Sequence, residues 1–275
     1  MAIRDIEVPG GSLPAEDAGE GPPIVLLHAG VADLRAWDRV VPLLVAAGYR
    51  VIRYDARGFG ASTTEDVEFS HRADLIAVLD AYGVERAALV GNSRGGMAAI
   101  DTAIEYPERV AALVAVAAGI SGFDGGATAE EASIFTAYER LEEAEPFDAD
   151  ALTDYEVRVW MDGPGQPPDR VAPELREALR EMDRPINDPD RVRGQSTRLE
   201  PPATDRLAEI RCPVLAIAGA LDFSEVAAAA RRIAAEAPRA RAEVWPDVAH
   251  MIGMEQPDRL AAAIVDFLAP LERWA

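Results

Sequence analysis

One serine of the chain lies in a setting typical of a covalent nucleophile. Ser93 is the central residue of the sequence GNSRG at residues 91–95, which follows the apolar residues 87–90 and precedes an alanine-rich segment of helical character. A strand, a G-x-S-x-G turn and a helix in this order form a nucleophile elbow, which lifts the serine hydroxyl above the edge of a sheet. Side chains at positions 91 and 95 would clash where the chain reverses. The sequence therefore predicts Ser93 as a nucleophile.

A serine nucleophile needs a base, and the chain offers only three histidines. His28 ends an apolar strand, where it is predicted to organise a loop. His71 follows the helix-capping residue Ser70 and is predicted to have a helix-start or surface role. His250 follows the last predicted strand, within reach of Ser93, and is therefore predicted to be the general base.

The base in turn needs a carboxylate that orients its ring. Asp222 follows the penultimate predicted strand through a short Gly-Ala-Leu turn, at the sheet edge where the elbow lies. Asp124 is the main alternative, but it lies among glycines where the chain leaves an earlier strand. Asp247 is too near His250 in sequence to be favoured. Asp222 is the predicted acid, and Asp124 stays open as its rival.

An oxyanion hole and a substrate site would complete the machinery. One donor is predicted to be the backbone N–H of Arg94, the residue after the nucleophile, at the start of a helix. The second is predicted to be the amide of Gly30, with its two neighbours in the chain as alternatives. The side chain of Arg94 is assigned no chemistry and is expected to reach solvent or pair with an acid. No metal ligands are predicted. Substrate-binding side chains are predicted at three positions: Trp160, Met161 and Met251.

The alternation of apolar runs and helical stretches predicts the elements that position these residues. It is typical of an α/β fold with a mostly parallel, doubly wound sheet. Residues 123–202 contain no convincing strand but several amphipathic helical segments, and the alternation resumes at Pro213. The sequence therefore predicts a core domain of residues 1–122 and 203–275, with a helical cap of residues 123–202 inserted after the sixth strand.

Composition and charge exclude several classes of function. A net charge of −21 argues against nucleic acid or an anionic membrane as a partner. All 27 basic residues are arginine, which excludes a Ser-Lys dyad, a lysine Schiff base and a P-loop lysine. The bias toward arginine, alanine and aspartate is typical of a GC-rich bacterial genome.

Cysteine content and apolar segments bear on where the protein acts. The lone Cys212 excludes an intramolecular disulfide and a cysteine-rich metal site. No apolar run approaches the roughly 20 residues that span a bilayer, and no secretory signal is visible. These features predict a cytoplasmic location, and they leave the oligomeric state undetermined.

Across nearly its full length the chain resembles the α/β-hydrolase fold superfamily. Beside the elbow, the matching motifs are LLHAG at 26–30, YDARGFGAS at 54–62, AGALD at 218–222 and AH at 249–250. The order Ser93, Asp222, His250 is the nucleophile–acid–base order of that superfamily. The segment 33–37, together with the elbow, is similar to the branch of 3-oxoadipate enol-lactonases and small carboxylesterases. The family commonly has His-Gly where this chain has His-Ala at 28–29, which implies a differently shaped oxyanion loop.

The resemblance implies a serine hydrolase that needs no cofactor. The expected reaction is cleavage of a carboxylic ester or lactone of a small, largely apolar substrate through an acyl-enzyme. Hydrolysis of a C–C bond or cofactor-free, haloperoxidase-like perhydrolysis on the same triad is the alternative, and a non-catalytic ligand-binding protein is a third hypothesis. Dehalogenases and epoxide hydrolases of this fold use an aspartate nucleophile, so Ser93 counts against both. The loop at 54–62 is implied to be structural.

Overall fold

The structure, a computed structural model, describes residues 3–271. Its strands are β1 (Ile3–Val8), β2 (Gly11–Ala18), β3 (Pro23–Leu27), β4 (Arg50–Tyr54), β5 (Thr63–Thr64), β6 (Glu68–Phe69), β7 (Ala87–Asn92), β8 (Val110–Val116), β9 (Gln195–Ser196), β10 (Val214–Gly219) and β11 (Ala240–Trp245). Eight of them form a sheet in the order β1-β2-β4-β3-β7-β8-β10-β11, with β5 added beside β2. Only the β1–β2 and β2–β4 pairs along this path are antiparallel. The predicted mostly parallel sheet is confirmed.

Helices cover both faces of the sheet. They are α1 (Val41–Ala46), α2 (His71–Ala81), α3 (Arg94–Glu105), α4 (Ala129–Glu142), α5 (Ala149–Val157), α6 (Pro173–Asp183), α7 (Ser224–Glu236), α8 (Ile252–Glu255) and α9 (Pro257–Leu268). One apolar core contains side chains of α2, α3 and α7, and a second contains side chains of α1 and α9. The central strands β7 and β8 are wholly buried. Helices cover both of their faces, which is why their sequences are almost continuously apolar. The sheet is therefore doubly wound. No helix within residues 3–271 is long and apolar enough to cross a membrane.

Three local features were not predicted from the sequence. Between β3 and β4 the chain forms a 3₁₀ turn at Leu34–Trp37, which the Asp33 side chain caps, and then α1, with Pro42 in its first turn. Residues 123–202 do contain a strand, β9, which pairs with β6. The one-turn helix α8 was not predicted. Two-residue strands and one-turn helices are too short to produce a hydrophobic period.

The segment 123–202, called the cap segment below, follows β8, the sixth of the eight sheet strands along the chain. It contains α4, α5 and α6, and a π-helical turn at Arg158–Asp162 that extends α5. Its last part returns along the core, where Arg191 donates to the carbonyl oxygens of Gly58 and Gly60 at 2.7 Å each. The division of the chain into two domains at residues 123 and 202 remains a prediction.

Two carboxyl groups meet inside the cap segment. Asp183 is buried beside Glu156, whose carboxylate accepts hydrogen bonds from the Tyr138 hydroxyl at 2.8 Å and from the Asn187 amide. Burial, followed by the charge of Glu156, raises the pKa of Asp183 far above its ordinary value. At neutral pH the pair therefore holds a proton that the same side chains lose in the unfolded chain.

Asp183→Asn is expected to stabilise the protein, and to do so more at pH 8 than at pH 5. The pKa of Asp183 is higher in the folded state, so wild-type stability falls as pH rises above the unfolded pKa of about 3.9. An amide is neutral at both pH values and so removes this pH-dependent loss of stability, and Tm at pH 8 is expected to rise by roughly 2–8 °C. Asp169→Asn, at an exposed acid of the same segment, is the control. If Asp183→Asn left the pH dependence of Tm unchanged, that result would contradict this account.

Candidate active site

The nucleophile elbow has the backbone geometry that its sequence predicts. Ser93, between β7 and α3, has φ 54° and ψ −119°, a conformation that costs a non-glycine residue about 1–3 kcal/mol. Its N–H donates to the carbonyl of Val116 at 2.8 Å. A Cβ on Gly91 would lie 2.3 Å from the carbonyl oxygen of Gly95, and a Cβ on Gly95 would lie 2.4 Å from that of Leu27. The predicted clash at both glycines is confirmed.

The structure places Asp222 and His250 in direct contact. The His250 Nδ1 lies 2.7 Å from the Asp222 Oδ2, and the two side chains are 5% and 0% exposed. Since a carboxylate only accepts, Nδ1 carries a proton, and in the neutral ring Nε2 is then the nitrogen with the free lone pair. The other oxygen of Asp222 accepts from the Phe223 N–H at 2.8 Å. The carboxylate is thus fixed by the backbone and in turn fixes the histidine ring.

Sheet topology explains why residues so far apart in sequence meet. Ser93, Asp222 and His250 follow the carboxyl ends of β7, β10 and β11, which run parallel and end at one edge of the sheet. The turns after β10 and β11 pack directly against each other, since a Cβ on Gly219 would lie 2.3 Å from the Val248 carbonyl oxygen. This edge is where ligands bind in open α/β sheets.

Neither rival aspartate contacts His250. Asp124 is exposed, and its Oδ1 accepts from the Gly126 N–H of its own turn at 2.9 Å. Asp247 is at the surface and pairs with Arg259 at 3.0 Å. Among the described residues, the carboxylate that the structure brings to the histidine is the one favoured from the sequence.

The residues that carry the two predicted oxyanion donors belong to neighbouring segments. Arg94 is the first residue of α3, and the first N–H groups of a helix have no acceptor within it. A Cβ on Gly30 would lie 3.7 Å from the Cδ and Nε atoms of Arg94, so the loop after β3 packs against the Arg94 side chain. His28 holds this loop: its Nδ1–H donates to the Ala29 carbonyl at 2.7 Å, and its Nε2 accepts from the Ala56 N–H at 3.0 Å.

Electrostatics agree with this role for His28. Burial, followed by the charge of Arg94, lowers the pKa of His28 to about 4, so the ring is neutral at physiological pH. The loop at 54–62 is also structural. Its Asp55 carboxylate accepts from the N–H groups of Leu34 at 2.9 Å and Ala61 at 2.8 Å, which joins the loops after β3 and β4.

Of the three predicted substrate-binding side chains, one contacts the histidine ring and the other two are buried in an apolar cluster. The Trp160 ring lies 4.6 Å from the His250 ring and 5.2 Å from the Phe223 ring, measured between centroids. Met161 and Met251 are fully buried in one apolar cluster where the cap segment meets the core. Trp160 is therefore a cap side chain in contact with the histidine.

Several contacts around the site escaped the sequence analysis. The buried Asn92 amide donates to the carbonyl oxygens of Val116 at 3.4 Å and His250 at 3.3 Å, which joins the elbow to the histidine loop. An amide at the end of a buried apolar strand was the signal that could have found it. Glu255 accepts from the Ala249 N–H at 3.0 Å and pairs with Arg170 of the cap segment at 2.7 Å. Nothing in the sequence links those two positions.

Arg94 and His71 make a contact that the sequence did not predict. His71 begins α2 behind its Ser70 cap, as predicted, but its ring faces inward, with Nε2 2.8 Å from the Nη1 of Arg94. Within residues 3–271, Arg94 pairs with no acid. Its guanidinium carbon lies 3.9 Å from the centre of the Phe59 ring. No group of three or more His, Cys, Asp or Glu side chains in the described chain could hold a metal ion.

Known proteins resemble this chain in both sequence and structure. The model of the alpha/beta hydrolase fold family matches residues 22–257. A 2-hydroxy-6-oxononadienedioate/2-hydroxy-6-oxononatrienedioate hydrolase of Comamonas testosteroni is 40% identical over 110 residues, which make up 38% of this chain and 38% of that protein. The similarity thus spans less than half of that relative's length.

Solved structures match over almost the whole chain. An N-acyl homoserine lactone degrading enzyme superposes with a TM-score of 0.74 at 26% identity, covering 96% of this chain and 100% of the other. The enol-lactonase of Burkholderia xenovorans has a TM-score of 0.72 at 22% identity, covering 94% and 97%, a likeness of fold alone. With the family model matching most of its length, the chain belongs to the α/β-hydrolase family.

Proposed function

We propose that this hydrolase cleaves a carboxylic ester or lactone of a small, largely apolar substrate with Ser93 as its nucleophile. The observation that carries the proposal is the buried 2.7 Å contact between His250 and Asp222, at the sheet edge where the elbow presents Ser93. A histidine fixed in this tautomer has its free nitrogen available to accept a serine proton. No other histidine of the described chain contacts a carboxylate in this way.

The proposed reaction has two halves. In the first, the Ser93 Oγ attacks the carbonyl carbon and its proton passes to the His250 Nε2. The tetrahedral oxyanion accepts hydrogen bonds from the N–H groups of Gly30 and Arg94, and its collapse releases the alcohol with the proton from His250. In the second, a water molecule attacks the acyl carbon and gives a proton to His250. The bond between the acyl carbon and the Ser93 Oγ then breaks, Oγ takes that proton back from His250, and the carboxylic acid leaves.

Asp222 acts through the histidine. Its buried carboxylate keeps the proton of His250 on Nδ1 and stabilises the imidazolium that forms in each half-reaction. The strained backbone of Ser93 supports the same proposal, because strain of this kind is retained where function requires it. Trp160, against the His250 ring, would exclude water from the reacting atoms.

Hydrolysis of a C–C bond beside a carbonyl is the second candidate. Its support is the sequence similarity to the Comamonas testosteroni hydrolase, which covers 38% of this chain. Ester or lactone cleavage is favoured because the structure of the lactone-degrading enzyme matches 96% of this chain.

Location and partners remain predictions. We propose a cytoplasmic location and a small-molecule substrate. The net charge of −21 supports the prediction of no nucleic-acid or membrane partner.

A substrate panel tests this choice. 4-Nitrophenyl esters of increasing acyl length, γ- and δ-lactones, and vinylogous 1,5-diketones are compared by kcat/KM, with Ser93→Ala measured on each. We expect the wild type to turn over an ester or a lactone best, and Ser93→Ala to lose that turnover. Turnover of the diketones alone would replace the proposal by the C–C hydrolase, and activity that persists in Ser93→Ala would exclude both.

A further inference from the structure

Arg94 carries an inward-facing positive charge that no carboxylate of the described chain neutralises. Its Nε is shielded from solvent and has no hydrogen-bond partner in this part of the chain. Four other arginines with largely buried side chains each pair with a carboxylate: Arg53, Arg57, Arg72 and Arg170. Enclosing an unpaired charge costs free energy. Arg94 differs from these arginines, because no carboxylate of the described chain pairs with it.

His71 holds the guanidinium without cancelling its charge. Arginine only donates hydrogen bonds, so the His71 Nε2 must accept from Nη1, which requires a neutral imidazole. Burial, followed by the charge of Arg94, lowers the pKa of His71 well below its ordinary value. Burial lowers the pKa of Arg94 only to about 10, so it remains protonated at neutral pH. An aspartate in place of His71 would have neutralised the positive charge of Arg94.

A cavity of about 350 Å³ opens beside this guanidinium. Arg94 is half-buried in its wall together with His71, and the rest of the wall mixes apolar side chains with hydroxyl groups: Met97, Ile120, Ser121, Ser196 and Thr197. Three further charged side chains line the wall: Arg198 is exposed, and the other two are already engaged. The Asp101 carboxylate accepts from the Ser121 hydroxyl at 2.9 Å, and Arg72 pairs with Glu105.

The cavity lies next to the reacting serine but does not contain it. Met97, in its wall, donates its N–H to the Ser93 carbonyl at 2.9 Å, one helical turn from the nucleophile. Neither Ser93 nor His250 lines the cavity. Arg94 is therefore placed between the cavity and the elbow, where it could hold a part of the substrate beyond the scissile bond.

We propose that Arg94 binds a carboxylate group of the substrate in this cavity. The substrate would then be an ester or lactone with an apolar body and one free carboxylate, such as a half-ester of a dicarboxylic acid. The planar guanidinium presents several N–H donors that suit a carboxylate, and His71 engages only its Nη1. This inference rests on the proposed function, because it names the substrate class of the same site.

The kinetic test compares mono-4-nitrophenyl adipate with its neutral counterpart, 4-nitrophenyl methyl adipate. The wild type is expected to prefer the anionic ester in kcat/KM, and Arg94→Met to lower that preference ratio by about 10- to 100-fold. Arg198→Met removes an exposed positive charge from the same cavity and is the matched control, with a ratio within about threefold of the wild type. An unchanged ratio in Arg94→Met, or an equal fall in Arg198→Met, overturns the proposal.

A binding measurement separates this inference from the catalytic proposal. Adipate and dimethyl adipate are titrated by calorimetry into Ser93→Ala and into Ser93→Ala with Arg94→Gln or Arg94→Lys. Only adipate is expected to bind, with at least about tenfold weaker affinity when Arg94 is glutamine and a smaller loss when it is lysine. Equal adipate affinity in all three proteins, or no binding at all, overturns the carboxylate site. If adipate binding depended on Arg94 but the wild type hydrolysed no ester, the carboxylate site would stand and only the proposed reaction would be contradicted.

Discussion

Ser93→Ala is expected to lower kcat/KM for ester hydrolysis by about 10⁴-fold or more. Without the hydroxyl no acyl-enzyme can form, and only substrate binding and the oxyanion donors remain to assist attack by water. Alanine keeps the Cβ of serine, so the elbow retains its backbone at φ 54° and the protein is expected to fold as the wild type does. Steady-state kinetics on one good 4-nitrophenyl ester, with Tm as the check on folding, measures both.

Ser93→Gly provides the matched control for the strain in the elbow. Glycine adopts a positive φ without cost, so this variant is expected to be as inactive as Ser93→Ala yet more stable than the wild type by about 1 kcal/mol. Such a result would show that the protein gives up stability to present the hydroxyl. Activity of either variant within tenfold of the wild type would contradict the assignment of the nucleophile.

Asp222→Asn is expected to lower kcat by about 10³- to 10⁴-fold with little change in KM. The amide can donate a hydrogen bond to the His250 Nδ1, which drives the proton to Nε2 and leaves the ring unable to accept from Ser93. Because the Asp222 side chain is fully buried, no solvent-exposed acid can replace it. The kcat and KM values of the purified variant, on the ester chosen above, separate this loss of chemistry from a loss of binding.

Asp124→Asn is the control for that experiment. Asp124 was the rival acid on sequence grounds, yet it is exposed and bonded to the amide of its own turn. Its substitution is expected to change kcat by less than about threefold, as is typical of surface positions. If Asp124→Asn were the more damaging of the two substitutions, the acid would have to be reassigned.

Sequence patterns predicted the elements of the site because each element has a signal of its own. The apolar runs that become β7 and β10 are continuous, as buried parallel strands require, and glycines mark the turns that follow them. Parallel strands end at one edge, so the position of Asp222 after β10 was enough to favour it over Asp124. Serine, aspartate and histidine could thus be placed at one edge before any distance between them was known.

The sequence could not predict contacts between side chains on separate elements. Arg170 and Glu255 are 85 positions apart, and the pattern around each predicts only a solvated charge. The neutral partner of Arg94 was missed for the same reason, since His71 belongs to the start of another helix. In a chain with 48 acidic residues an acid partner was the natural expectation. Burial and packing decide such contacts, and neither is encoded in local sequence.

The covalent step on Ser93 is tested most directly by mapping a fluorophosphonate adduct by mass spectrometry. The chain lacks lysine, so trypsin cleaves after Arg86 and Arg94 and releases residues 87–94, a peptide whose only hydroxyl side chain is that of Ser93. We predict a stoichiometric adduct on this peptide in the wild type, and none in Ser93→Ala. An adduct on another peptide, or an unlabelled wild-type protein that still hydrolyses esters, would contradict the central claim.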